Sequence, residues 1–155
     1  MKIKLLSVFI IFAFILSIFY FYSDFYEPTY NAECGKYENR TLKIKNNEMF
    51  LTIADDDCKR RSGLSNSKQL DASHGMLFIF NEEGKHGFWM KDMNYSIDIV
   101  WLNKNKEIIG IKNNVKPSTF PTIFGEEYIS SYVLELPSGF SIKNDLKVGE
   151  KINIL

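Results

Sequence analysis

Four side chains in the second half of the chain stand where plain core residues would serve: Trp89, Lys91, Asp98 and Glu135. Trp89 and Lys91 alternate around Met90, so an extended backbone puts them on one face. A Trp ring suits a sugar- or peptide-binding platform, and an ammonium beside it can donate to an oxygen-rich ligand. Asp98 and Glu135 each sit in an aliphatic run, where a buried carboxylate needs a partner. If the two share a cleft, they form the acid and base that glycoside hydrolysis uses. If Asp98 is instead satisfied by Lys91, or by backbone donors between Asp92 and Ser96, it fixes a hairpin and does no chemistry.

Little else in the sequence points to catalysis. Ser62, Ser118 and Ser138 lack the GxSxG context of an activated nucleophile, and only two histidines are available to serve them. Phosphate-cradling glycine loops and zinc-type cysteine spacing are missing. His74, Met76, His86, Met90 and Met93 are residue types that suit copper, but their spacing matches no defined site, and strand methionines ordinarily pack. No cofactor and no metal are expected. The residues favour a binding module over an enzyme, with Trp89, Lys91, Asp98 and Glu135 as candidate ligand-binding positions and the Asp98–Glu135 pair as the hydrolase alternative.

The elements that position these residues begin after a membrane segment. Leu5 to Tyr22 is a run of 18 residues without a charge, which as a helix would span roughly 27 Å, close to a hydrocarbon core. Lys2 and Lys4 precede it and Asp24, Glu27 and Glu33 follow, so the positive-inside rule keeps the N-terminus cytoplasmic and the remainder outside. Phe19 to Tyr22 are all bulky where signal cleavage needs small residues, which favours an uncleaved single-pass anchor over a secreted product. The chain thus divides into an anchor at 1–22, a tether at 23–40 and an extracytoplasmic domain at 41–155.

Charge and cysteines agree with that placement. The chain has 19 Lys and Arg against 19 Asp and Glu, and beyond the anchor the balance is slightly acidic, so nucleic acid is not an expected partner. Cys34 and Cys58 are the two cysteines, and outside the cytoplasm they can pair or remain two separate thiols. The partners to expect are the membrane, through the N-terminal segment, and an envelope glycan or envelope protein.

Within the domain, Thr41–Lys45 and Glu48–Ala54 read as strands around an Asn46-Asn47 turn, with Met49, Leu51 and Ile53 on one face. Asp55 to Arg61 reads as a short helix capped by Asp, closed by Lys59-Arg60-Arg61 and stopped by Gly63, its charges matched to its dipole. Four strands follow at Met76–Phe80, Gly87–Lys91, Ile97–Leu102 and Lys106–Lys112. Asn113–Glu127, with Pro117 and Pro121, is a loop long enough to serve as a rim or lid. Tyr128–Leu136 and Lys151–Ile154 complete the set. Short strands in hairpin rhythm with one helix predict a mainly β fold, a compact antiparallel sandwich or partly closed barrel.

The order Gly63-Leu64, Gly75-Met76-Leu77-Phe78-Ile79-Phe80, Phe88-Trp89-Met90-Lys91-Asp92-Met93, Ile97-Asp98-Ile99-Val100 and Val133-Leu134-Glu135-Leu136 resembles the domain of unknown function 192 (DUF192) family over about Met49 to Ile154. The resemblance implies a compact, mostly β domain of the kind often exported or membrane-tethered, with no settled activity. Two departures stand out: Ser65-Asn66-Ser67 follows the Gly-Leu pair where the family usually has a Met or Ser-Gly-Arg cluster, and Cys58 occupies a helix position that is normally charged.

Overall fold

A tight hairpin opens the domain: β1 (Asn39–Ile44) pairs antiparallel with β2 (Asn47–Ala54), and Ile44 faces Asn47 across a two-residue turn. The turn falls on Lys45-Asn46, one residue before the Asn-Asn pair, and Lys45 takes the positive φ of 56° it requires. The computed structural model describes residues 34–154 of the chain. The expected anchor at 1–22 lies outside the described residues, as does the tether up to residue 33. Among the described residues no helix is long and apolar enough to cross a membrane.

Helix α1 (Asp57–Ser62) follows β2. Asp56 caps it by accepting from the Lys59 amide at 2.8 Å, and Gly63, at φ 50°, ends it. The chain then loops to β3 (His74–Lys85), which lies parallel to β2. Parallel neighbours need a crossover of a dozen residues or more, and residues 55–73 supply it. Next come the hairpin of β4 (Ile97–Leu102) and β5 (Ile108–Val115), a 3-10 turn at Pro117–Thr119, and β6 (Ile129–Pro137), which inserts between β3 and β4. A four-residue helix, α2 (Phe140–Lys143), precedes the C-terminal segment.

The sheet order is β1-β2-β3-β6-β4-β5. The mainly β expectation holds, but the pairing is mixed rather than wholly antiparallel, because β2 and β3 run the same way. Three elements differ from the sequence reading. Gly87–Lys91 is no strand but an extended loop with a single bridge, Phe88 to Phe124. Lys151 contributes one bridge to Glu107 rather than a strand, and α2 was not foreseen.

Both faces of the sheet are covered. On one, Met49, Leu51, Ile53, Leu77, Val100 and Leu134 pack beneath Phe140, Leu146, Ile152 and Ile154 of the C-terminal segment. On the other, Met76, Phe78, Ile97, Ile99, Trp101 and Val133 pack beneath Leu64, Met90 and Tyr95 from the loops. Period-two alternation places Asp98 on the first face and Glu135 on the second. A Cys34–Cys58 disulfide ties the start of the described chain to α1, and the Glu38 carbonyl accepts from the Ile53 amide. Packing therefore begins inside the segment read as a tether.

Candidate functional site

The cleft that could hold a ligand lies on the second face, between α1 and the Phe88–Met93 loop. Arg60 anchors the α1 wall: its guanidinium donates to the Ile79 carbonyl at 2.8 Å, pairs with Asp57 at 2.6 Å and lies over the Phe80 ring. The facing loop is fixed by two bonds from the residues after α1. Ser65 Oγ donates to the Lys91 carbonyl, and the Asn66 amide donates to that of Asp92. Thus the Gly-Leu and Phe-Trp-Met-Lys segments, 26 positions apart at Ser65 and Lys91, meet across the mouth.

The upper edge comes from the irregular end of β3. Its register with β6 shifts between Ile79 and Gly84, the chain curls, and His86 stacks on Phe80 with ring centroids 3.5 Å apart. Trp101 Nε1 holds that curl by donating to the His86 carbonyl at 3.0 Å. Burial, reinforced by the nearby Arg60 charge, holds the His86 imidazole below its ordinary value. The loop read as a rim does border the site: Phe120 meets Trp89 edge-on at 5.7 Å, and the Phe88 and Phe124 backbones bond to each other.

The half-open cleft has a volume of about 260 Å³, a little under the roughly 300 Å³ where pockets for drug-sized ligands begin. Phe78, Phe80 and Phe88 give it apolar walls, Trp89 stands at its mouth, and Arg60, Arg61 and Lys85 bring positive charge. Among the described residues, Glu135 is the one acidic residue lining it. Trp89 is 50% exposed while its neighbour Met90 is 2% exposed, so the in-out alternation holds without a regular strand. The Lys91 ammonium lies over the Trp89 ring, 5.9 Å from its centroid.

Glu135 is the unusual group. It is 5% exposed, its Oε2 has no hydrogen-bond partner, and it faces Met76 and Ile99 across the neighbouring strands. Burial pushes its carboxyl up to about 8, so at neutral pH it is mostly protonated and presents an O–H donor.

Asp98 lies elsewhere. It is fully buried on the opposite face and accepts from the backbone amides of Asn114 at 2.8 Å, Gly139 at 3.0 Å and Ser141 at 2.8 Å. Its partners are these amides rather than Lys91 or the 92–96 turn, and they tie β5 and the start of α2 to β4. Asp98 and Glu135 therefore do not share a cleft: in β4 and β6 register, Ile99 rather than Asp98 opposes Glu135, and the sheet stands between the two carboxylates. Asp98 thus lies outside this cleft, while Trp89 and Glu135 both line it and Lys91 lies over the Trp89 ring.

Arg60, Arg61, Lys85 and His86 were not foreseen as site residues. The basic run at 59–61 was legible as a helix terminus, yet which way its side chains point depends on where α1 docks. Among the described residues no three His, Cys, Asp or Glu side chains are grouped to hold a metal ion. Met76 and Met90 are core residues, and the His74 imidazole meets Asp71 at 2.6 Å.

Fold and site together define a small mixed-sheet β-domain with an aromatic-walled, cationic cleft. The chain belongs to the DUF192 family, described as "Uncharacterized ACR, COG1430", whose model matches residues 40–154. Two solved structures are similar to it. A "putative transcription regulator" from Sinorhizobium meliloti 1021 is 26% identical, with a TM-score of 0.68, covering 76% of this chain and 93% of that one. A protein of unknown function from Novosphingobium aromaticivorans DSM 12444 is 21% identical, with a TM-score of 0.67, covering 82% and 92%, and shares the fold. No curated protein matches the chain.

Proposed function

We propose that this protein is a non-catalytic binding module, held outside the cytoplasm by a single N-terminal membrane segment, whose cleft takes a sugar unit of an envelope glycan. The observation that carries this reading is Glu135: a carboxyl with an unpartnered oxygen, buried in a cleft whose mouth is a half-exposed Trp. Leaving such a group unsatisfied costs about 1–3 kcal/mol, which a ligand hydroxyl would offset. Aromatic walls suit the apolar face of a sugar ring, and the cleft volume suits one small unit. Among the described residues the cleft supplies no second carboxylate for two-carboxyl hydrolysis. The Cys34–Cys58 disulfide supports the compartment, since such bonds persist in oxidising surroundings.

The test is a thermal-shift titration of the full-length chain in mild detergent with soluble envelope glycan fragments, wild type beside Trp89→Ala. A binding fragment at 100 times its Kd adds about 2.7 kcal/mol to stability. The expected result is a rise in Tm that the folded Trp89→Ala protein does not show. No rise with any fragment, or an equal rise in the variant, would sink the reading.

A further inference from the structure

The charge of the cleft says more about its ligand. Its lining carries three cations and one acid. Arg60 is already engaged with Asp57 and the Ile79 carbonyl, but Arg61 and Lys85 are exposed and form no ion pair with any described carboxylate. Elsewhere on the domain exposed cations such as Lys45, Lys104 and Lys147 do lie against carboxylates. Glu135, being buried among Met76, Ile99 and the phenylalanine walls, favours its neutral form and does not cancel the charge above it. Apart from the His86 imidazole, the ionisable groups lining the cleft are thus donors, and two are cations without an ion-pair partner. A guanidinium fork pairs with a planar or tetrahedral oxyanion through parallel N–H bonds.

We propose that the cleft selects an anionic sugar unit, its acid group held by Arg61 and Lys85 and its ring against Trp89. This rests on the glycan-binding reading and narrows it to a substrate class. Binding of this kind desolvates the anion less than a fully buried ion pair would, because both cations sit at the rim, and added salt screens it over about 8–10 Å at physiological ionic strength.

The experiment is calorimetric titration of the full-length chain with D-glucuronate, D-glucose and glucose 6-phosphate, in wild type, the Arg61→Gln/Lys85→Gln double variant and Trp89→Ala. Glucuronate, the phosphate ester or both are expected to bind at least tenfold tighter than glucose, the stronger of the two identifying the anion. The double variant should lose that advantage while retaining the melting temperature of the wild type, and 0.5 M salt should weaken the anionic ligands alone. Equal affinity for glucose and both anions would overturn the selectivity and leave glycan binding standing. Failure of all three sugars, while neutral glycan fragments still raise Tm, would overturn this inference alone. Failure of both sets would overturn the glycan reading as well.

Discussion

Glu135 makes stability depend on pH in a direction opposite to most acidic residues. Its folded carboxyl is raised from 4.5 to about 8 by burial. Between those values the folded chain holds a proton that the unfolded chain has released, so stability falls as pH rises, by about 1.4 kcal/mol per unit. It is fully present below about 4.5 and lost by about 8. Over pH 5 to 7.5 the slope amounts to roughly 3 kcal/mol, and at roughly 3–5 °C per kcal/mol for a domain near 120 residues Tm should drop by about 10–15 °C. Ordinary carboxylates are already ionised at pH 5. His86, whose depressed value makes stability fall toward acid, acts in the opposite direction below about pH 6.5 but is common to both proteins compared. Thermal melts followed by circular dichroism at pH 5, 6, 7 and 8, wild type against Glu135→Gln, isolate the effect. The variant should have a flatter profile and overtake the wild type near pH 8. Parallel profiles would show that Glu135 ionises freely in the folded state, and the donor role given to it in the cleft would fall with it.

Asp98→Ala should destabilise the domain by about 3 kcal/mol, seen as a lower urea midpoint, because it leaves the backbone amides of Asn114, Gly139 and Ser141, the last of them buried, without their carboxylate acceptor. Cys34→Ser should cost about 3 kcal/mol by removing the bond to Cys58, a separation of 24 residues; equal melting of oxidised and reduced wild type would contradict it. Gly125→Ala should lower Tm sharply or prevent folding, since its φ of 91° disfavours a side chain and a Cβ there would fall within the Trp101 ring; expression with an unchanged melt would refute it.

Strands β1, β2 and β4, helix α1 and the burial of Met49, Leu51 and Ile53 on one face were all readable along the chain, because alternation, caps and turn residues act over a few positions. Gly87–Lys91 was misread because Phe88, Trp89 and Met90 alternate in-out as a strand would, yet of the three only Phe88 forms a β-bridge, to Phe124. The parallel return of β3 was also hidden: a short helix plus loop at 55–73 reads the same whether the next strand comes back beside β2 or pairs elsewhere.

The site divides in the same way. Trp89, Lys91 and Glu135 could be chosen by residue type, since an exposed aromatic or a carboxyl in an apolar strand is visible without coordinates. Asp98 satisfied the same criterion and belongs to the other face. Local pattern along the chain was enough for the β-rich character, the family and the residues that are chemically out of place. That β6 inserts between β3 and β4, that Glu135 and Asp98 end on opposite sides, and that Arg61 and Lys85 share a cleft with Trp89 came from the three-dimensional packing. Side-chain direction follows from a period of two within a strand, whereas convergence depends on strand order and loop docking, which are fixed by contacts between segments remote in the chain.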